Sequence, residues 1–248
     1  MSGTLAEPIL YFIRLDSTNL YCLREAARLP AGTIVVADAQ TAGRGRQGRA
    51  WQSPPGVNLY TSILLKPPYL NARVELFPPL AALAIWRAVR DHGAGDAWIK
   101  WPNDVYAGDR KLAGVLAESQ VQQGQVTATV VGMGVNLNLA AEDAARIGAP
   151  ATSLLLETGK RVDRARFLEV LYGYFNSYYR SAQQFGFGTL HAEWRGASRL
   201  LGRAVTLTRG DERLVGVVED LDADGALCLR LPTGPLLRLH AGDVSLAH

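Results

Sequence analysis

The sequence predicts an α/β (α+β) chain in two parts, a larger domain over residues 1–198 and a small β-barrel over residues 199–248. Two observations support this. In the first part, apolar stretches with strand spacing alternate with amphipathic helical stretches. From Gly202 onward they give way to short apolar strands separated by Gly-rich and Asp-rich turns, which is typical of a small barrel. A barrel of about 45 residues is near the lower limit for independent stability, so we expect it to pack on the first domain.

The composition is ordinary for a soluble globular protein. Of 248 residues, 48% are hydrophobic and 20% are charged, and the net charge of +3 is too small to indicate nucleic-acid binding. No apolar run approaches the roughly 18 residues that cross a bilayer, and the N-terminus lacks the pattern of a signal peptide. We therefore expect a cytoplasmic protein that contacts neither DNA nor membrane. Cys22 and Cys228 are expected to be buried free thiols.

The first predicted elements surround a run of short polar residues. Residues 9–15 are predicted as a strand, and Asp-Ser-Thr-Asn at 16–19 then begins a helical pattern that stops at Pro30. Only one N-cap is needed, so these polar residues either cap the helix or line the floor of a pocket. The β-branched residues 33–39 predict a second strand, which leads into Gln40.

The arginine loop, residues 43–51, is the most distinctive feature of the chain. Glycine lets a backbone approach a ligand closely, and arginine offers planar charged donors, so the loop suits wrapping a phosphate or a carboxylate. A solvated basic hairpin without a ligand is the alternative, because runs of charge usually lie on the surface. The loop contains Gly43, Arg44, Gly45, Arg46, Gly48 and Arg49, and Trp51 closes it.

The same loop matches the G-x-G-x-x-G pattern of dinucleotide-binding folds between Gly43 and Gly48. In those folds the turn opens directly into a helix whose N-terminus holds the pyrophosphate. Here Pro54, Pro55 and Gly56 follow and do not continue a helix. We therefore reject a dinucleotide-binding turn.

The remaining patterns predict further strands and two long helices. Gly132 and Gly134, one residue apart at the end of a strand, suggest that the backbone there closely approaches another group. The predicted elements are strands at 57–65, 97–100, 111–118 and 126–131, a hairpin turn at 105–110, helices at 78–91 and 163–185, and barrel strands at 204–208, 214–221, 226–231 and 236–240.

The chemistry available to these residues is that of fixed positive charge. The sequence has no Ser-His-Asp arrangement at recognisable spacing and no paired-carboxylate motif. Lys111, at the start of a strand, is by itself more typical of a solvated end residue. Together with Arg44 and Arg46 it suits charge stabilisation in phosphoryl or acyl-phosphate chemistry, which needs no covalent intermediate on the protein.

Five motifs, in order, make the chain resemble the catalytic region of biotin protein ligases. A Gly-Arg-Gly-Arg-x-Gly-Arg loop with a downstream Lys-Trp-Pro-Asn-Asp is a highly specific pair. The resemblance implies a mixed-sheet catalytic domain of the biotin/lipoate ligase type with a small C-terminal SH3-like β-barrel. The motifs are the polar run at 16–19, the loop at 40–51, Lys-Trp-Pro-Asn-Asp at 100–104, Arg-Lys-Leu-Ala-Gly at 110–114 and Gly-Met-Gly-Val-Asn at 132–136.

The resemblance implies a two-step reaction. The biotin carboxylate attacks the α-phosphate of Mg-ATP to give biotinyl-5′-AMP and pyrophosphate. The biotinyl group then passes to a lysine ε-amine on a biotin carboxyl carrier protein domain. ATP and Mg²⁺ are therefore the implied cofactors and biotin is the substrate. The magnesium ion is expected to be carried by ATP, with no metal ligand firmly assigned.

Carried over by position, the resemblance also implies a role for each matching residue. Lys111 would bridge the biotin carboxylate and the α-phosphate, with Arg44 and Arg46 folded over them, so these three are the expected catalytic residues. Trp51 would stack on adenine. The expected biotin-binding residues are Ser17, Thr18, Asn19, Gln40, Gly43, Arg44, Gly45, Arg46, Lys111 and Gly114, and the expected ATP-binding residues are Arg46, Trp51, Asn103, Asp104, Lys111 and Asn136.

Two other functions remain open. A lipoate or octanoate ligase would share the fold, and a non-catalytic biotin-sensing protein would bind without transfer. The arginine loop and the Trp-Pro-Asn-Asp run favour biotin, and the presence of Lys111 with Arg44 and Arg46 favours catalysis. Because the chain starts shortly before the first strand, we expect a monofunctional ligase without a DNA-binding domain. Homodimers occur in this family, so a homodimer is a further expectation left open.

Overall fold

The computed structural model describes residues 8–67 and 74–246. No α-helix in these ranges has the length and apolar character that a membrane span needs. The helices are α1 (Thr18–Arg24), α2 (Phe77–Asp91), α3 (Ala141–Ala145), α4 (Leu154–Thr158), α5 (Arg164–Phe185) and α6 (Gly188–Gly196). The strands are β1 (Ile9–Leu15), β2 (Ile34–Gln40), β3 (Leu59–Leu65), β4 (Ala97–Lys100), β5 (Asp104–Ala107), β6 (Arg110–Gln122), β7 (Gln125–Val135), β8 (Ala204–Arg209), β9 (Glu212–Leu221), β10 (Leu227–Arg230), β11 (Leu236–Leu239) and β12 (Asp243–Leu246).

Two sheets hold these strands. The larger is a seven-stranded mixed sheet in the order β1-β2-β3-β7-β6-β5-β4, in which β1 runs parallel to β2 and the other neighbours are antiparallel. The smaller is a five-stranded antiparallel sheet in the order β11-β10-β9-β8-β12. Over the described ranges its edge strands β11 and β12 do not pair, so this sheet is open. The mixed α/β fold is confirmed, whereas a closed barrel is not observed.

The predicted strands and long helices are present, with differences at their ends. α1 stops at Arg24 rather than near Pro30, and the chain continues there as turns. β6 and β7 extend beyond their predicted ends because they form one hairpin, which turns at Gln123 and Gly124. The sequence patterns do not predict α3, α4 or β12, since four or five residues are too few to show a periodicity. The hairpin turn predicted at 105–110 is shorter than expected, because residues 104–107 form β5 and only residues 108 and 109 turn. The division between residues 198 and 199 stays a prediction, and residues 1–7 and 247–248 of the two predicted domains lie outside the described ranges.

Different helices cover the two faces of the larger sheet. α2 and α5 pack together and bury the main core on one face, with Phe77 and Phe167 fully buried. α1 covers the opposite face over β2, β3 and β7, where Cys22 packs against Val35. Every residue of β3 is buried, as expected for a strand covered on both sides. Cys22 and Cys228 are both buried free thiols, as predicted.

The smaller sheet packs on the larger domain, as its size predicts. Trp101, immediately after β4, is buried, and its indole Nε1 donates to the carbonyl of Gly225 at 3.0 Å. Arg195 of α6 forms an ion pair with Asp220 of β9. The C-terminal sheet therefore lies against the edge of the larger sheet that carries the Lys-Trp-Pro-Asn-Asp motif.

Candidate active site

The arginine loop is a small hairpin between β2 and β3. The amide of Trp51 donates to the carbonyl of Gly43 at 2.9 Å, and Arg44 and Ala50 form an isolated antiparallel bridge. Between them the chain makes a 3-10 turn at Arg46–Gly48 rather than a helix. The rejection of a dinucleotide-binding turn is therefore confirmed.

The two glycines near the end of β7 are covered by side chains from other elements. The Trp51 ring lies on Gly134, where a Cβ atom would come 2.6 Å from Cε2 of the indole. Asn19 lies on Gly132, where a Cβ atom would overlap the amide oxygen of Asn19. The close approach predicted from the sequence is thus made by the protein's own side chains. The indole Nε1 of Trp51 is buried, and it has no hydrogen-bond partner among the described residues.

A polar floor, formed by Ser17, Thr18, Asn19, Gln40 and Ser62, lies next to the loop. Gln40 Oε1 accepts from the amide of Thr18 at 2.9 Å and from its hydroxyl at 3.2 Å. The Ser62 hydroxyl is 2.7 Å from Thr18 Oγ1 and 2.6 Å from Asn19 Oδ1. Ser17 is the N-cap residue of α1, but its hydroxyl makes no capping hydrogen bond. Capping alone therefore does not account for the polar run at 16–19, whose side chains join α1 to β2 and β3.

Lys111 faces Asp104 and Trp51 on the α1 face of the sheet. Its Nζ is 2.7 Å from Asp104 Oδ2 and 5.4 Å from the centre of the Trp51 ring. Gly114 leaves room for this side chain, because a Cβ atom there would lie 3.1 Å from Lys111 Cε. The second oxygen of Asp104, Oδ1, is buried and without a hydrogen-bond partner in the described part of the chain. An ammonium beside a carboxylate with one free oxygen can hold an anion and a cation next to each other.

The loop arginines reach acceptors from distant parts of the chain. Arg44 Nη2 lies 3.1 Å from Glu118 Oε1 on β6. Arg46 donates to Asn103 Oδ1 at 3.0 Å and to the carbonyl of Gly242 at 3.1 Å. Arg44 and Arg46 therefore point away from each other, one toward the middle of the large sheet and the other toward the C-terminal sheet.

The turn before β12 brings the C-terminal sheet to the loop. Asp243 forms an ion pair with Arg49, and one of its oxygens is 3.7 Å from Arg46 Nη1. The carboxylate thus offsets part of the positive charge of the loop. Because Asp243 belongs to the smaller sheet, its ion pair with Arg49 connects the arginine loop to the C-terminal part of the chain.

Lys100, at the end of β4, is a further cation at this site. Its Nζ is 3.3 Å from the Tyr106 hydroxyl and 4.8 Å from the centre of that ring, and the residue pairs across strands with Asp104. Burial lowers the pKa of the Lys100 ammonium, an effect that the nearby Asp104 carboxylate partly offsets. Burial also raises the pKa of Tyr106 to about 12, so the phenol stays neutral beside the lysine.

Two asparagines of the expected nucleotide site are hydrogen-bonded within the protein. Asn136 is buried, its Oδ1 accepts from Asn58 Nδ2 at 3.2 Å, and its Nδ2 donates to the carbonyl of Thr152 at 3.0 Å. Asn103 Nδ2 donates to the carbonyl of Val115. Both side chains hold neighbouring segments in place, and their contact with a nucleotide stays a prediction.

A cavity of about 450 Å³ is lined by Arg110, the residue before Lys111, and by the segment around Pro150. Pro150 and the residues around it form one wall, and the Lys111 amide donates to the Pro150 carbonyl at 2.9 Å. The rest of the lining is small and apolar apart from Arg110. This volume lies in the usual range for a small-molecule pocket.

Most of the predicted site residues lie together on the α1 face of the larger sheet or on the loop beside it. They form three adjoining groups: the floor residues, the loop, and Lys111 with Asp104 and Gly114. In the described ranges no three His, Cys, Asp or Glu side chains group as a metal site. Four further residues reach the site although they were not predicted to belong to it: Ser62, Lys100, Glu118 and Asp243. Of these, only Lys100 lies in one of the sequence motifs, Lys-Trp-Pro-Asn-Asp at 100–104.

Two family models match the chain. The biotin/lipoate A/B protein ligase family matches residues 11–136, and the biotin protein ligase C terminal domain matches residues 200–247. The two matches fall on the larger and the smaller sheet.

Individual proteins are also similar. A biotin--[acetyl-CoA-carboxylase] ligase of Paracoccus denitrificans is 36% identical over 89% of this chain and 93% of its own length. The bifunctional ligase/repressor BirA of Escherichia coli (strain K12) is 31% identical over 94% of this chain and 72% of its own length. The solved structure of a biotin protein ligase from Aquifex aeolicus in complex with biotin and ATP superposes with a TM-score of 0.82 at 28% identity, covering 97% of this chain and 99% of that one.

Proposed function

The chain belongs to the biotin/lipoate A/B protein ligase family, and on this premise we propose how its residues carry out the reaction of a biotin protein ligase. The enzyme activates biotin with ATP to biotinyl-5′-AMP and transfers the biotinyl group to a lysine of a biotin carboxyl carrier protein. One observation carries the residue assignment: an uncharged polar floor meets the cations of the arginine loop and of β6 on one face of one sheet.

The polar floor would bind the ureido ring of biotin. A ureido group presents one carbonyl acceptor and two N–H donors, which match hydroxyl and amide side chains. Ser17, whose hydroxyl makes no capping bond, and the amide of Gln40 are suited to these contacts. The apolar end of octanoate or lipoate would offer the Ser17 hydroxyl no hydrogen bond, and a buried polar group left without a partner costs about 1–3 kcal/mol. The floor therefore supports biotin as the substrate.

The cations would bring two anions together. In the first step a carboxylate oxygen of biotin forms a bond to the α-phosphorus of ATP, and the bond from that phosphorus to the leaving pyrophosphate breaks. Lys111 would lie between the carboxylate and the α-phosphate and offset the repulsion between them. Arg44 would donate to the carboxylate while it stays paired with Glu118, Arg46 would exchange its present acceptors for ligand oxygens, and the backbone at Gly43 and Gly45 would meet the carboxylate.

ATP and Mg²⁺ fit the groups that lack hydrogen-bond partners among the described residues. Asp104 Oδ1 is a free carboxylate oxygen beside Lys111, and hard oxygen ligands are those that Mg²⁺ prefers. A magnesium ion held there with the phosphates would neutralise their charge. Trp51, with an unpartnered indole nitrogen and a ring against Gly134, would stack on the base. Asn103 and Asn136 would also contact the nucleotide, while their amides stay bonded to the carbonyls of Val115 and Thr152.

The remaining expectations are proposals of the same kind. In the second step the ε-amine of the carrier lysine attacks the acyl carbon of biotinyl-5′-AMP, AMP leaves, and the amine loses a proton. The open C-terminal sheet would be a variant of the SH3-like barrel, an inference supported by the match of residues 200–247. A cytoplasmic location and a homodimer are also proposed.

A direct experiment tests the substrate. The purified protein is incubated with Mg-ATP and, in separate tubes, biotin, lipoate or octanoate, and the acyl-adenylate is measured by mass spectrometry. We expect biotinyl-5′-AMP in the biotin tube and no adenylate in the others. Lipoyl- or octanoyl-AMP would move the substrate to the other branch of the family. Biotin binding without any adenylate would indicate a sensor rather than a ligase.

A further inference from the structure

Glu118 of β6 lies between the arginine loop and the polar floor. One carboxylate oxygen, Oε1, is 3.1 Å from Arg44 Nη2, and the other, Oε2, accepts from Asn19 Nδ2 at 2.8 Å. The side chain is 19% exposed, whereas that of Arg44 is 45% exposed. A long arginine side chain with that much exposure has many rotamers available, so its position depends on the half-buried partner.

These contacts are part of a closed ring of hydrogen bonds that begins and ends on the arginine loop. From Glu118 the ring passes to Asn19, whose Oδ1 accepts from the Ser62 hydroxyl, and then through the 2.7 Å contact of Ser62 with the Thr18 hydroxyl to the Thr18 amide, which donates to Gln40 Oε1. Gln40 Nε2 then donates to Ser53 Oγ at 3.0 Å, and the Ser53 hydroxyl donates to the carbonyl of Trp51 at 3.1 Å. Arg44, near the start of the loop, and Trp51, at its end, are therefore both tied to the floor.

We propose that Glu118 is a positioning residue that holds Arg44 at the biotin carboxylate end of the site and Asn19 in the floor. The proposal rests on the proposed function, since it is the bound biotin that Arg44 and the floor would contact. Glu118 itself touches neither substrate nor reacting atoms. It acts by restricting the rotamers of Arg44 and by fixing one end of the ring, so its loss should weaken biotin binding rather than slow chemistry.

The test compares Glu118→Gln with a glutamate in a matched setting. Glu193 also joins an arginine, Arg87, to a neutral donor, the Tyr178 hydroxyl, but it lies on α6 away from the site. We expect Glu118→Gln to raise the biotin dissociation constant, measured by calorimetry without ATP, about tenfold, the effect of one charge-assisted hydrogen bond. The kcat for adenylation and the KM for ATP should stay within about twofold of wild type. Glu193→Gln should leave the biotin dissociation constant, the kcat for adenylation and the KM for ATP unchanged, even if it lowers Tm as much as Glu118→Gln does or more.

A double-mutant cycle with Arg44→Gln tests whether Glu118 acts through Arg44. In that background Glu118→Gln should change the biotin dissociation constant by no more than about twofold, because the partner it positions is already gone. Full multiplication of the two effects would overturn the proposal. So would wild-type affinity in the single variant, or an equal weakening by Glu193→Gln. A wild-type protein that does not bind biotin at all would instead overturn the proposed function, and this inference with it.

Discussion

Replacing Lys111 with methionine tests the central electrostatic argument. The substitution keeps an unbranched side chain of similar length in the space left by Gly114, so packing changes little. It removes the ammonium 2.7 Å from Asp104 Oδ2 and leaves that carboxylate facing the biotin carboxylate and the phosphates. The variant therefore loses a stabilising charge and gains an uncompensated repulsion.

The magnitude follows from both effects. Removing one charge-stabilising donor from an active site costs about 2.7–4 kcal/mol. A unit charge about 5 Å from an unscreened carboxylate adds up to roughly 3 kcal/mol at an effective dielectric constant of 20. Because 30% of the Lys111 side chain is exposed, water screens much of the second effect. We therefore expect a total of about 3–5 kcal/mol, or adenylation slower by roughly 10²–10⁴.

The assay is single-turnover formation of biotinyl-5′-AMP at saturating biotin and Mg-ATP, with Lys160→Met as the control. Lys160 is an exposed lysine in the turn after α4, so its loss should leave the rate unchanged. Transfer from preformed biotinyl-5′-AMP to a carrier domain, measured in parallel, should fall less than adenylation, because no second anion has to be brought in. An adenylation rate within tenfold of wild type would refute the assignment of Lys111.

Three further changes have expected outcomes. Gly134→Ala would place a Cβ atom 2.6 Å from the Trp51 ring, so we expect the adenylation rate in the same assay to fall at least about 100-fold. As the control, Gly173→Ala in α5, where the added Cβ would meet no neighbouring atom, should keep its activity and raise the free energy of unfolding in urea by about 0.5–1 kcal/mol. Trp101→Phe removes the hydrogen bond from the indole to the Gly225 carbonyl, which joins the two sheets and contributes about 1 kcal/mol to the free energy of unfolding. The Tm measured by calorimetry should therefore fall by about 2–4 °C, and an unchanged Tm would contradict this. Burial holds the pKa of Lys100 below its ordinary 10.5, so the charged lysine opposes folding at neutral pH, and this penalty disappears as the pH rises through the folded pKa toward 10.5. The Tm of Lys100→Met should therefore exceed that of wild type at pH 7 and approach it toward pH 10, and a constant difference in Tm would refute the argument.

The parts of the site that could be predicted from sequence are those whose chemistry is local. The polar run at 16–19 and the arginine loop each gather their donors within one short segment, so residue type and spacing were sufficient to identify them. Glu118 and Asp243 are different, since each is an unremarkable acidic residue on a strand. Their role depends on strand register and on contacts such as Asn19 to Glu118 and Arg46 to Gly242, which are 99 and 196 residues apart. Hydrophobic periodicity contains no information about such pairings.

The fold shows the same division. Most strands of the larger sheet are long or strongly apolar, and their patterns predict them well, whereas the four-residue β5 was predicted as a turn. β12 has four residues, and its place beside β8 rather than against β11 leaves the C-terminal sheet open. Closure of a sheet depends on strand tilt and stagger, which a pattern of alternating residues does not specify. The small all-β part predicted from the sequence is therefore confirmed, whereas the closed barrel that was also predicted is not observed in the described residues.

The site holds its cations together by giving each an acceptor from the protein itself. Arg44 faces Glu118, Arg46 and Arg49 face Asp243, and Lys111 faces Asp104. Like charges this close would otherwise repel, so these acceptors stabilise the site before a ligand binds. A ligand oxygen that takes the place of the acceptor of Arg46, Arg49 or Lys111 exchanges one ion pair for another, and the net gain per contact is small. On the proposed assignment, affinity should therefore depend mainly on the polar floor, on Arg44 as Glu118 holds it and on the packing of the base, whereas the other cations should act where charge develops in the reaction. Raising the salt concentration should accordingly weaken biotin binding only slightly, and a steep salt dependence would show that the cations supply the affinity.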